Sequence, residues 1–153
     1  MKLSPTAIIL AIVAVIVVVL IVVSATRRGA VPTPTPTAPT LASPSANLVR
    51  VADQIATNSA KIISTALTEG GYVVIHESTP DGTPGAVVGY SNYLEAGSYS
   101  DLTIRLTKSV KLGAVLFAML HSDDGDKTYG FPDEDLPLKD QAGKVILQKF
   151  TVK

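Results

Sequence analysis

The stretch AVLFAMLH, Ala114–His121, decides how the rest of the chain is read. Val115, Phe117 and Met119 point to one side of an extended chain, and Leu116, Ala118 and Leu120 to the other. A strand that is apolar on both faces belongs in the interior of a sheet that is covered on both sides. Tyr72–Ile75 repeats the pattern over a shorter length, and each run ends in a histidine, His76 or His121, the two histidines of the protein. By alternation His76 shares a face with Tyr72 and Val74, and His121 shares one with Phe117 and Met119.

Outward from this centre, short alternating runs predict further strands at Leu48–Asp53, Lys61–Thr68, Ala86–Tyr90, Leu102–Thr107 and Val145–Val152, with Tyr72–Glu77 as the full length of the shorter central one. Turn chemistry separates them at Gly70-Gly71, Asp81-Gly82 with Pro84-Gly85, Gly97-Ser98, Asp124-Gly125 and Ala142-Gly143. No segment here keeps a helical period. Seven strands in residues 47–153 predict an all-β domain, a two-sheet sandwich of immunoglobulin-like size.

Ahead of this domain the composition changes twice. Ala7–Val23 is a run of seventeen apolar residues without a charge, amide, glycine or proline. It exceeds the roughly 7 to 15 residues of a secretory signal core, although Val23, Ser24 and Ala25 would suit a cleavage site. It matches the roughly 20 residues that cross a bilayer as a helix. The expectation is an N-terminal tail over 1–6, a transmembrane α-helix over 7–26 that contacts membrane lipid, and a linker over 27–46. Ser4, Ala7, Ala11 and Ala14 fall on one narrow stripe of that helix, where small side chains admit a partner transmembrane helix. Pro32, Pro34, Pro36, Pro39 and Pro44, interleaved with Thr33, Thr35, Thr37 and Thr40, exclude helix and sheet from the linker. As an extended strut at about 3.1 Å per residue it spans on the order of 50 Å. Its threonines suit O-linked sugars; the chain has no Asn-x-Ser/Thr acceptor.

Charge narrows the function. The whole chain balances 13 basic against 13 acidic residues, but Lys2, Arg27 and Arg28 precede the domain, so residues 47–153 hold 10 against 13, a net of −3. A mildly acidic domain argues against nucleic acid as a partner. Without cysteine there is no disulfide framework, thiolate metal site or cysteine nucleophile. There is no glycine-rich phosphate loop, Gly-x-Ser-x-Gly elbow or paired-histidine motif, so neither an enzyme nor a cofactor is expected.

Two weak metal candidates stand out. Asp123, Asp124 and Asp126, next to His121, cluster oxygen donors in a turn, but the glycine between the last two aspartates breaks the usual calcium-loop spacing, and Asp133, Glu134 and Asp135 form a second acidic group. Solvated acidic turns are the common case. His76, His121 and Met119 supply only a thioether and imidazole set, short of the thiolate a blue-copper centre needs. Strand-end histidines more often hydrogen-bond a nearby loop.

The blocks GGYVVIHES (Gly70–Ser78), VVGYSNYLEAGSYSDLTIRL (Val87–Leu106) and LFAMLHSDDGDKTYGFPDEDLPL (Leu116–Leu138) resemble a family of uncharacterised β-rich domains from secreted and surface-anchored proteins of archaea and bacteria, including Chloroflexi. The resemblance covers nearly all of 47–153. It implies a fold and an address, with the domain outside the cytoplasm, where the near tie between Lys2 and Arg27/Arg28 leaves orientation open. The expected function is a non-enzymatic, single-pass surface protein that displays a structural or binding module. The alternative is an accessory subunit of a larger membrane complex, docked through the Ser4, Ala7, Ala11 and Ala14 stripe.

Overall fold

The computed structural model describes residues 44–55, 58–130 and 134–153. The expected tail over 1–6, the helix over 7–26, its Ser4, Ala7, Ala11 and Ala14 stripe, and the linker up to residue 43 lie outside the described residues. Among the described residues no helix is long and apolar enough to cross a membrane.

Seven strands form two antiparallel sheets: β1 Leu48–Arg50, β2 Ser59–Leu67, β3 Gly71–Ser78, β4 Pro84–Tyr90, β5 Gly97–Arg105, β6 Val115–Ser122 and β7 Leu147–Thr151. One sheet has the order β1-β2-β5 and the other β4-β3-β6-β7. The all-β, seven-strand, two-sheet expectation holds. The fourth strand pairs with the third, whereas a constant-type immunoglobulin domain places it in the sheet of the first and second. The two stretches that are apolar on both faces, β3 and β6, are the inner pair of the larger sheet, as their composition requires.

Three glycine-containing sites expected as breaks lie inside strands. Gly71 opens β3, Pro84 and Gly85 open β4, and Gly97 and Ser98 open β5, which starts five residues before the expected Leu102. Ser98–Ser100 are paired to β2 through backbone bonds alone, Ala66 with Ser98 and Ser64 with Ser100, so a polar, solvent-facing edge strand carries no apolar period to read. Pro84 is tolerated because β4 is an edge and Pro84 is its first residue. The β3–β4 hairpin is a turn over Thr79–Gly82, closed by the Gly82 amide donating to the Thr79 carbonyl at 3.0 Å, with Gly82 at φ 75° where a side chain would be strained.

The core fills the space between the sheets. Val49, Ala60, Ile62, Leu67 and Ile104 from one sheet meet Val73, Ile75, Val88, Leu116, Ala118, Leu120 and Phe150 from the other. In β2 the inward phase moves from Ala60 and Ile62 to Thr65 and Leu67, beside the point where Asp101 on β5 takes φ 55°. The hydroxyl of buried Thr65 donates to the Leu48 carbonyl at 2.9 Å, so this inward polar group is satisfied.

Candidate functional site

The larger sheet is buried on its outer face as well. Pairing opposes Tyr72 to His121, Val74 to Met119 and His76 to Phe117, and all six residues are buried on the side away from the smaller sheet's core. The return from β6 passes over this face. Its end re-enters the sheet, with Ser122 N donating to Leu136 O at 2.9 Å, Leu138 N to Leu120 O at 2.8 Å and Ile146 N to Leu138 O at 2.9 Å. Residues 131–133, including Asp133, lie outside the described residues.

Aromatic rings pack the cover onto the sheet. Tyr129 lies 4.5 Å from Tyr90 and edge-on to Tyr72 at 5.3 Å and to His121 at 5.9 Å, and Tyr72 is edge-on to Tyr93 at 5.8 Å. Lys127 sits 4.7 Å above the Tyr93 ring and pairs with Glu95 at 2.8 Å. Burial, with Asp123 beside it, pushes the Tyr72 hydroxyl well above the usual phenol range, so it stays a donor.

The acidic turn is organised by its own backbone. Asp123 accepts hydrogen bonds from the Tyr72 hydroxyl at 3.0 Å, the Lys127 amide at 2.9 Å and the Gly125 amide at 3.2 Å. Asp124 accepts from the Asp126 amide at 3.2 Å, and Asp126 from the Thr128 amide at 2.7 Å. One carboxylate oxygen of each of Asp123, Asp124 and Asp126 lies within 4.8 Å of the others, a spacing open to an oxygen-preferring cation. The same contacts also account for these residues as loop formers without one. Of the second acidic group, Glu134 is exposed, whereas Asp135 is fully buried. Its carboxylate accepts from the Gly130 amide at 2.7 Å and the Asp124 amide at 3.1 Å. Nothing in the sequence distinguishes Asp135 from exposed Glu134 beside it, because its burial rests on backbone donors eleven and five residues away.

Both histidines bond backbone carbonyls through Nδ1, each at 2.8 Å: His121 contacts Asp135 O in the loop, the contact expected of a strand end, whereas His76 contacts Gly85 O within the neighbouring strand β4. Sequence reasoning missed that they also meet each other. Their Nε2 atoms are 3.3 Å apart and the rings stack at 5.4 Å. Same-face alternation placed each one correctly on its own strand, but only the β3–β6 register joins the two half-faces. Burial lowers the tendency of both to take up a proton.

Comparison with known proteins adds a lineage to this geometry. A stretch of 106 residues is 37% identical to part of cell surface glycoprotein 2 of Haloarcula hispanica and 34% identical to part of cell surface glycoprotein 1 of the same organism. In each case the match covers 68% of this chain and 11% of the relative, so the chain corresponds to about a tenth of the curated relatives it matches. No solved structure matches it. Residues 47–153 match the model of a domain of unknown function, DUF7282, and the chain belongs to that family.

Proposed function

We propose that this chain is a non-enzymatic surface module: an immunoglobulin-like β-sandwich displayed outside the cytoplasm on the Pro/Thr-rich linker over 27–46, behind a single transmembrane helix over 7–26. The observation that carries this reading is the identity of 37% and 34% with segments of two cell surface glycoproteins. The apolar run Ala7–Val23 and the proline-interleaved threonines after it support the anchor and the stalk. The described domain adds a solvent face dominated by serine, threonine and charged side chains on β5 and fixed, hydrogen-bonded turns, the properties of a durable exposed head.

Protease added to intact cells tests the placement. The head should be shaved from unbroken cells, leaving a short fragment that stays with the membrane through an alkaline carbonate wash. A head protected until lysis, or a chain that leaves the membrane in carbonate, overturns it.

A further inference from the structure

The edges of the two sheets are not protected alike. β4 opens on Pro84, and its ladder to β3 shifts register at Ile75/His76 and again at His76/Ser78. β5 carries Asp101 at φ 55° in an ion pair with Lys61 at 3.0 Å, and beyond its end Thr107 N donates to Val88 O at 2.7 Å. β7 carries exposed Lys149 and is closed at its end by Gln54, whose amide donates to Thr151 O at 3.2 Å. β1 has no proline, no bulge and, among the described residues, no ion pair. The chain leaving β1 crosses toward β7, and the gap between them closes in stages. Backbone bonds close it at Gln54, and the Gln148 side chain bridges it at Val51, accepting from the Val51 amide at 3.2 Å. At Val49 no bond crosses it among the described residues. What remains open is a groove of about 420 Å³ lined by Leu48, Val49, Arg50, Val51, Ile63 and Gln148.

Alternation decides what this edge offers. The Leu48 carbonyl faces β2, where it accepts from the Thr65 hydroxyl, and the Val51 amide faces away, so the N–H and carbonyl of Val49 both point away from β2. Val49 and Ile62 point into the core, which leaves Leu48, Arg50 and Ile63 on the outer face of the smaller sheet. Leu48 is 40% and Ile63 51% exposed, and Arg50 beside them has no carboxylate partner among the described residues. We infer that this groove binds an extended acidic peptide segment of another protein, added antiparallel to β1 as a further strand. One residue of that segment exchanges both backbone hydrogen bonds with Val49. The residue before it faces Arg50 and carries a carboxylate, which the guanidinium fork suits, and the residue after it faces Leu48 and is apolar. The recognised pattern therefore reads acidic, any residue, apolar. Gln148 Nε2 makes no hydrogen bond among the described residues and supplies one more donor to the groove. A second copy of this chain is the poorer match, because pairing β1 with itself sets Leu48 against Arg50 and gives neither guanidinium a carboxylate.

Titration of the 15N-labelled full-length protein in mild detergent with the blocked peptide Thr-Thr-Glu-Thr-Val-Thr tests this. The Val49 amide and the Gln148 side-chain amide should shift together, and exchange of the Val49 amide with solvent should slow. Methylating the peptide nitrogen between Glu and Val removes the donor to the Val49 carbonyl and should weaken binding by at least about fivefold, with no change to the protein. Arg50→Glu, at an exposed side chain without an ion pair, should weaken binding by at least about threefold and reverse the preference to the peptide with Lys in place of Glu. A Val49 amide unmoved by millimolar peptide overturns the proposal, as does binding indifferent to the methyl group or to the charge reversal. A Val49 amide that shifts with protein concentration alone, together with a dimer in sedimentation, overturns the peptide in favour of a second copy. The titration reads the head in detergent, so a negative result leaves the protease test of its placement untouched.

Discussion

A single residue, Asp135, shows how much of this domain depends on polar groups placed in its interior. A fully buried carboxylate is costly unless its oxygens are met by donors, and Asp135 is met by the Gly130 and Asp124 amides while its own carbonyl fixes the His121 ring. Asp135→Asn keeps the size but turns one acceptor into a donor facing an N–H. The variant should lose about 1.5 to 3 kcal/mol, read as a lower urea midpoint with an unchanged slope. Tyr129 presents the opposite case. Its buried hydroxyl has no hydrogen-bond partner among the described residues, so Tyr129→Phe should be neutral or raise stability by up to about 1 kcal/mol. A loss of stability in that variant would show that the hydroxyl is satisfied. Neither residue announces itself in the sequence, since a buried aspartate and an orphaned tyrosine look like any other loop residues until the chain folds over them.

Among the elements, β3 is the most tightly constrained at its first residue. Gly71 exchanges backbone bonds with Leu94, each at 2.9 Å, and a Cβ at Gly71 would overlap the His121 carbonyl oxygen on β6. Gly71→Ala must push two paired strands apart, and should cost about 1 to 3 kcal/mol by thermal unfolding. The Gly70-Gly71 pair is readable as a turn signal, but the second glycine is there for close approach of backbone. A second element joins the start of the domain to its end. Beyond β1, Gln54 bridges Val152 in parallel, the Thr151 amide donates to Asp53 at 2.8 Å, and Lys153 pairs with Asp53 at 3.3 Å. The Thr151 amide and then Lys153 lower the Asp53 carboxyl below its ordinary value of 3.8. A carboxyl lowered on folding adds stability above its unfolded value, and that contribution disappears as pH falls through the folded one. Wild type should therefore exceed Asp53→Asn in denaturant midpoint at pH 6, and the gap should close as pH drops below 3.8. A gap that persists at pH 2 would assign the effect to something other than this carboxylate.

At the scale of the whole molecule, one sheet is buried on two sides by two different means, apolar packing against the smaller sheet and an aromatic, hydrogen-bonded cover on the outside. The first was legible in the sequence, because Leu116, Ala118 and Leu120 alternate with Phe117 and Met119 ahead of the turn at Asp124-Gly125. The second was legible only in part. Alternation put His121 with Met119 and His76 with Tyr72, but their convergence depends on the register of two strands 45 residues apart, which no local pattern encodes. The two sides should also fail differently. Leu120→Ala opens a cavity between the sheets and should cost about 2 to 5 kcal/mol, weakening amide protection in both sheets together. Tyr72→Phe severs only the hydroxyl bond that holds Asp123, the acceptor for the Gly125 and Lys127 amides. Hydrogen exchange in that variant should speed up at Gly125 and Lys127 and leave β2 and β5 at wild-type protection. Equal loss of protection across both sheets in Tyr72→Phe would mean that the cover and the core unfold as one unit, and that the outer face is part of the domain's global stability rather than a cover that opens on its own.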